Sequence, residues 1–231
     1  SGYEFNIAYS GGDSNYSNPN GFRYTVGLNG GYSKNEIEFI DEVSGAPEWQ
    51  LREGKPLGAY LLYETDGVFY DQSEIDANAV DYSQVTPQLR PGDLRLVDYD
   101  GNGKIDADDQ VRQEDSFTPR LQYGITLDMS YKNFDLSILF QGSQGGLTTL
   151  FNGEFGDWGN YYKYQHDNRW SIDNPSREHP RLASRGDTWY TDGGYGNNTY
   201  NYGSTDYLRL KNLELGYNLP ESILGQGFIS N

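Results

Sequence analysis

The chain has no cysteine, one methionine and two histidines among its 231 residues. Without thiols it can hold neither a thiol nucleophile, nor a thiolate zinc centre, nor a disulfide scaffold. Positive charge is scarce as well. Lys and Arg number 17 against 34 Asp and Glu, and the resulting net charge of −17 would repel a phosphate backbone, so no nucleic-acid partner is expected. No stretch approaches the roughly 20 apolar residues that a spanning helix needs. Spanning strands escape that exclusion, because they alternate and stay polar on average. Catalytic patterns are missing too. His166 and His179 lack a metalloprotease spacing, and no nucleophile elbow, phosphate-cradling loop or dinucleotide fingerprint occurs. Only a carboxylate pair for glycoside hydrolysis stays open, since acids are plentiful and sequence spacing says nothing of their separation in space.

What the chain has is tyrosine, glycine and acid. Aromatics make up 15% of it, and its 29 glycines are roughly twice the usual share of about 7%. Disordered acidic chains are poor in aromatics, so a folded protein of strands and turns is expected.

Alternation is the main local signal. Tyr3, Phe5, Ile7 and Tyr9 share one face of a first strand, and Phe22, Tyr24, Val26 and Leu28 one face of a second. Leu121, Tyr123, Ile125, Leu127, Met129 and Tyr131 follow suit. A tight turn at Lys132-Asn133 then leads into Phe134, Leu136, Ile138 and Phe140, which reads as a hairpin. In the last strand the apolar phase runs through Leu208 and Leu210, slips by one residue, and resumes at Leu213, Leu215 and Tyr217, which predicts a β-bulge near Lys211-Asn212. Runs of about 10–11 residues suit tilted membrane strands, with aromatics at the strand ends and a polar opposite face, but a soluble sandwich alternates as well. Periodicity alone leaves both open.

Two segments carry candidate site residues. Asp98-Tyr99-Asp100-Gly101-Asn102-Gly103-Lys104-Ile105-Asp106-Ala107-Asp108-Asp109 follows the spacing of a calcium loop, with Gly at position 6. Asp98, Asp100, Asn102, Asp106 and Asp109 would offer side-chain oxygens and Lys104 its carbonyl, for a structural Ca²⁺. Asp109 is one methylene shorter than the usual closing Glu, and an extended segment precedes the loop, so this is no helix–loop–helix hand. A metal-free acidic turn is the alternative. Residues 145–206 form a long aromatic-rich connection holding three of the four Trp. Loops of that length are usually functional or disordered. Trp158, Trp170 and Trp189 are the candidates for substrate or partner contacts, against packing within the loop. Arg169 and Arg181 are candidates to pin the loop by ion pairs.

Several motifs, in order, resemble one family. Gly54-Lys55-Pro56-Leu57-Gly58, Tyr63-Glu64-Thr65-Asp66-Gly67, Pro91-Gly92-Asp93-Leu94, the Asp98–Asp109 loop, Pro119, Tyr131-Lys132-Asn133-Phe134-Asp135-Leu136 and Gln141-Gly142 come first. Arg169-Trp170, Asn174-Pro175, Pro180-Arg181-Leu182 and the run from Tyr207 to Pro220 complete the series. Together they resemble the later barrel of SusC/RagA-type TonB-dependent outer-membrane transporters of Bacteroidetes. The resemblance implies an all-β fold: part of an antiparallel transmembrane β-barrel of about 22 strands with long extracellular loops. It also implies residence in the outer membrane of a Gram-negative bacterium and import of glycans or peptides without covalent chemistry. The implied partners are a SusD-like surface lipoprotein, TonB through an N-terminal part, and outer-membrane lipid. The chain starts inside an alternating pattern, with no initiator Met and no recognisable plug. An incomplete C-terminal barrel segment over residues 1–231 is therefore expected, with Tyr24, Val26, Leu28, Tyr123, Ile125 and Leu127 facing lipid. A secreted calcium- and carbohydrate-binding sandwich module and a glycoside hydrolase fragment are the alternatives.

Overall fold

The computed structural model describes residues 1–15, 18, 20–150, 163–183, 187 and 197–219. In chain order its strands are β1 (Gly2–Gly12), β2 (Phe22–Ser33), β3 (Leu61–Tyr63), β4 (Thr65–Val68), β5 (Leu94–Leu96), β6 (Gln110–Arg112), β7 (Leu121–Tyr131), β8 (Phe134–Gln144), β9 (Leu147–Thr149), β10 (Tyr202–Ser204) and β11 (Tyr207–Tyr217). Two short helices, α1 (Gln72–Ala77) and α2 (Lys163–Asn168), lie between them. The chain divides into two compact units: Ser1–Lys34, Thr118–Gly146 and Thr205–Asn231 form the first, Asn35–Phe117 and Leu147–Ser204 the second.

The first unit is one antiparallel sheet of five strands in the order β1-β2-β7-β8-β11. Its register follows from the alternation, because a slip by one residue would turn every apolar side chain to the other face. Ile7 lies opposite Leu28, Leu28 opposite Ile125, Ile125 opposite Phe140, and Phe140 opposite Leu210. An apolar stripe thus crosses all five strands. Its residues stay open on the isolated sheet, Leu215 being 73% and Ile7 62% exposed. Aromatics gather at both ends of the stripe. Tyr3 stacks on Tyr32 at 5.2 Å at one end, and Phe134 meets Tyr217 at 4.7 Å at the other.

Glycines on this apolar face serve a packing purpose. A Cβ on Gly142 would lie 2.3 Å from the Tyr123 ring, and one on Gly30 would lie 2.7 Å from the Phe5 ring. Each aromatic lies flat over its cross-strand glycine, covering backbone that a side chain would otherwise shield.

The strand ends differ. Lys132 takes a left-handed backbone (φ 54°) to close the two-residue turn between β7 and β8. At the opposite end β2 leads into residues 35–117, and β8 leads into 147–204 before the chain returns as β11. Both long segments therefore leave and re-enter at the same end of the strands.

The second unit is built from those two segments. Its core holds Val68, Phe69, Tyr82, Val85, Leu94, Leu96, Ile105 and Ala183, with Trp170 and Tyr200 packed against it. Three two-stranded ribbons, β3 with β6, β4 with β5 and β9 with β10, supply its regular backbone pairing. Asp71 caps α1 by accepting from the Glu74 amide at 3.1 Å. Strands of three or four residues carry no readable period, so this unit was not visible in the sequence as a fold.

Candidate functional site

The calcium-like loop begins with Asp98 and ends in a 3₁₀ turn at Ala107–Asp109, directly before β6. Carboxylate oxygens of Asp98, Asp100 and Asp109 lie within 4.8 Å of one another. Backbone amides offset their mutual repulsion. Asp98 accepts from the amides of Asn102 (3.1 Å) and Gly103 (2.8 Å), and Asp100 from Asn102 (2.9 Å). Asp109, fully buried, accepts from Tyr99 (2.7 Å) through one oxygen and from Asp106 (2.8 Å) through the other. Gly101 and Gly103 take positive φ (73° and 85°), which allows the chain to turn back on itself.

The carboxylates of Asp98, Asp100 and Asp109 thus converge, and the other expected ligands take part in hydrogen bonds within the loop. Asn102 donates its side-chain amide to Asp100 (2.8 Å) and accepts from the Lys104 amide (2.9 Å). Asp106 caps the 3₁₀ turn through the Asp108 amide (2.9 Å) and pairs with the Lys104 ammonium at 2.8 Å. That ammonium holds the Asp106 carboxyl below its ordinary pKa. Lys104, expected to matter only through its carbonyl, therefore engages the position-9 carboxylate with its side chain. The donor set is all oxygen, which fits a hard cation such as Ca²⁺, and position 9 of such loops often acts through water.

The loop is seated by residues that its motif does not contain. Ile105, fully buried, anchors it in the core, and its amide donates to Asp81 O at 2.7 Å, while the Asp81 amide donates to Gly103 O at 2.9 Å. From a 3₁₀ turn at Glu48–Gln50, Trp49 donates its indole N–H to Asp108 O (2.7 Å) and Gln50 its amide to Ala107 O (2.6 Å). Trp49 also packs on Tyr99 at 5.2 Å. Nothing in the local sequence marks Trp49 and Gln50 as partners of a loop about fifty residues away.

Among the aromatic candidates, Trp158 and Trp189 lie outside the described residues. Trp170 is half-buried: its indole N–H donates to Tyr70 O at 2.9 Å, and a Cβ on Gly92 would fall 2.8 Å from its ring. Packing within the second unit occupies that side chain. Arg181 does pin the loop, bonding Asp93 through Nε at 2.6 Å and Asp187 through Nη1 at 3.1 Å. Burial pushes the Asp93 carboxyl up to about 6, against the opposing pull of the Arg181 guanidinium. Arg169 instead donates to the His166 carbonyl. Glu74 of α1 and Arg177 make a further tie at 2.5 Å.

The polar face of the five-stranded sheet is the third candidate surface. Asn6 lies opposite Asn29, Gln122 opposite Ser143, and Gln141 opposite Arg209. Toward the end carrying the long segments, the face is concave and lined by Asn6, Asn29, Gln122, Leu139, Gln141 and Lys211.

No protein-family model matches the chain. It is 33% identical over 240 aligned residues to TonB-dependent receptor P3 of Formosa agariphila, an alignment covering 97% of this chain and 22% of that protein. To TonB-dependent receptor P26 of the same organism it is 30% identical over 195 residues, covering 83% of this chain and 19% of that protein. The chain spans about a fifth of the length of the curated relatives it matches. Among solved structures, the RagAB peptide transporter matches with a TM-score of 0.57 at 21% identity, over 98% of this chain and 24% of that one. The RagAB peptide importer in its open-open state matches equally well by TM-score, 0.57 at 19% identity, over 98% of this chain and 23% of that one. At those identities the structural likeness concerns the fold.

Proposed function

We propose that this chain, similar over 97% of its length to a TonB-dependent receptor, is a barrel segment of the SusC/RagA type, with a place in the wall and outer surface of an outer-membrane importer of oligomeric solutes. The sheet carries this reading: an unbroken apolar stripe with aromatic ends on one face and an amide- and charge-bearing face on the other. A bilayer demands closed strand pairing, and outer-membrane barrels place apolar side chains outward, aromatics at the interfaces and polar side chains in the lumen. Their periplasmic turns are short and their outer loops long. The Lys132-Asn133 turn therefore faces the periplasm, and the second unit is the extracellular part.

The solute is a glycan or a peptide, moved without covalent chemistry in a TonB-dependent cycle. A SusD-like lipoprotein would cover the extracellular side, meeting surfaces of the second unit that include the loop bearing Trp158 and Trp189. The Asp98–Asp109 loop is a structural Ca²⁺ site in that unit, favoured over a bare turn by the convergence of Asp98, Asp100 and Asp109. The test is uptake by cells carrying the whole parent gene, with labelled oligosaccharides and peptides offered in parallel. Import that disappears without TonB and without the neighbouring lipoprotein supports the reading. Turnover of a glycan by the purified parent protein would overturn it.

A further inference from the structure

We propose that Lys211, with Arg209 and Tyr207 beside it, forms a subsite on the polar wall for a carboxylate carried by the imported solute, an assignment that rests on this wall lining the lumen. The observation behind it is a residue that the sheet does not need. In the β8–β11 ladder Leu210 pairs with Phe140 and Asn212 with Leu139, so Lys211 is the extra residue of the bulge. Without it, Leu208, Leu210, Leu213 and Leu215 would fall on one face in uninterrupted alternation, with Arg209, Asn212 and Glu214 on the other. A bulge disrupts the local ladder and re-aims a side chain. Here it sets Arg209, Lys211 and Asn212 close together along one strand, and Lys211 lines the concave polar surface beside Leu139 and Gln141.

Glu4 and Arg120 also line the concave surface, and the two bases at the bulge are Arg209 and Lys211. Arg209 is held by neutral groups, donating to Gln141 Oε1 at 3.1 Å with its guanidinium 5.1 Å from the centre of the Tyr207 ring. Neither Arg209 nor Lys211 forms an ion pair among the described residues. Elsewhere in this acid-rich chain Arg181, Arg177, Arg90, Arg95 and Lys55 pair with carboxylates, which Arg209 and Lys211 do not. Two neighbouring cations, one preorganised by an amide and a ring, suit a carboxylate through charge-assisted hydrogen bonds. Asn6, Asn29 and Gln122 extend the surface with donors and acceptors for the rest of an oligomer. The carboxylate belongs either to an acidic peptide or to a uronic-acid oligosaccharide, and both present the same group.

The experiment uses the whole parent protein, purified from outer membranes in detergent and titrated with hexaglutamate and tetragalacturonate. Hexaglutamine and cellotetraose serve as the neutral counterparts. Lys211→Gln keeps the bulge and removes the charge, and deletion of Lys211 removes both. The expected result is that one anionic probe binds and weakens with salt. Its affinity falls about tenfold or more in Lys211→Gln and in the deletion, while neutral probes are unaffected. The probe that binds identifies the carboxylate's source. Failure of both anionic probes to bind the parent protein, or wild-type affinity in Lys211→Gln, overturns the subsite. Recovery of the parent outside the outer-membrane fraction overturns instead the lumen reading on which it rests, so the two failures are told apart.

Discussion

Asp93 shows how one side chain ties distant parts of the second unit together and makes the tie sensitive to pH. It is fully buried on the turn before β5, accepts from the Arg90 amide at 2.8 Å, and meets Arg181 from the other segment. Burial raises its carboxyl from 3.8 to about 6, with Asp187 nearby adding to the rise. Because the folded value is the higher one, the folded state keeps a proton that the unfolded chain has already lost. The stability from this group is therefore fully present below pH 3.8 and is lost as the pH rises through about 6. Protection of the amides at 90–96 and 177–183, corrected for intrinsic exchange, should fall over that window in the parent protein, by a few kcal/mol at most. Asp93→Asn should flatten the profile, and an unchanged profile would refute the assignment. The Asp98–Asp109 loop makes a second prediction at this scale. Calorimetry on the metal-stripped parent protein should show Ca²⁺ binding at about 10⁻⁴–10⁻³ M, weakened at least about tenfold by Asp98→Asn or Asp109→Asn. An ordered loop that binds no Ca²⁺ at millimolar concentration would favour the bare turn. The turn itself was legible because its acids and glycines follow a fixed spacing. The Asp93–Arg181 pair was only half legible: Arg181 was expected to form ion pairs, but its buried partner lies in another segment with no local pattern to announce it.

At the level of strands, the sequence carried most of what the structure shows. All five long strands, the β7–β8 turn and the bulge at Lys211 follow from a period of two and its one interruption. The glycines were harder to interpret, because a glycine in a strand reads equally as weakness or as close approach. Gly142 and Gly216 separate the two cases. A Cβ on Gly142 would collide with the Tyr123 ring at 2.3 Å, whereas one on Gly216 would meet Asp135 Cβ at an ordinary 3.7 Å. Gly142→Ala should destabilise the parent barrel by about 1–3 kcal/mol in denaturant titrations from lipid vesicles. Gly216→Ala should be near neutral. Equal effects would mean that the aromatic cover contributes nothing. The short ribbons of the second unit had no such signal, and its boundaries follow tertiary contacts rather than patterning.

For the whole molecule, the open sheet sets the expectation. β1 and β11 are the edge strands of this sheet, and the apolar stripe between them stays exposed among the described residues. Expressed alone in water, residues 1–231 should associate through edges and stripe, and sedimentation should show large, polydisperse species that detergent reduces. A soluble monomer with those leucines enclosed would contradict the barrel-wall reading.

The two long segments have a consequence for inheritance as well. Residues 35–117 and 147–204 are separated in the chain by the whole β7–β8 hairpin, yet Thr65 bonds Thr199, the Tyr63 amide bonds Asn197 O, Trp170 bonds Tyr70, and Arg181 bonds Asp93. Neither segment is a module. A recombination event that replaced one and kept the other would strand a buried carboxylate, a half-buried guanidinium and half a core. Diversification of this surface must therefore proceed by paired change, with the intervening hairpin carried along between its two dependants.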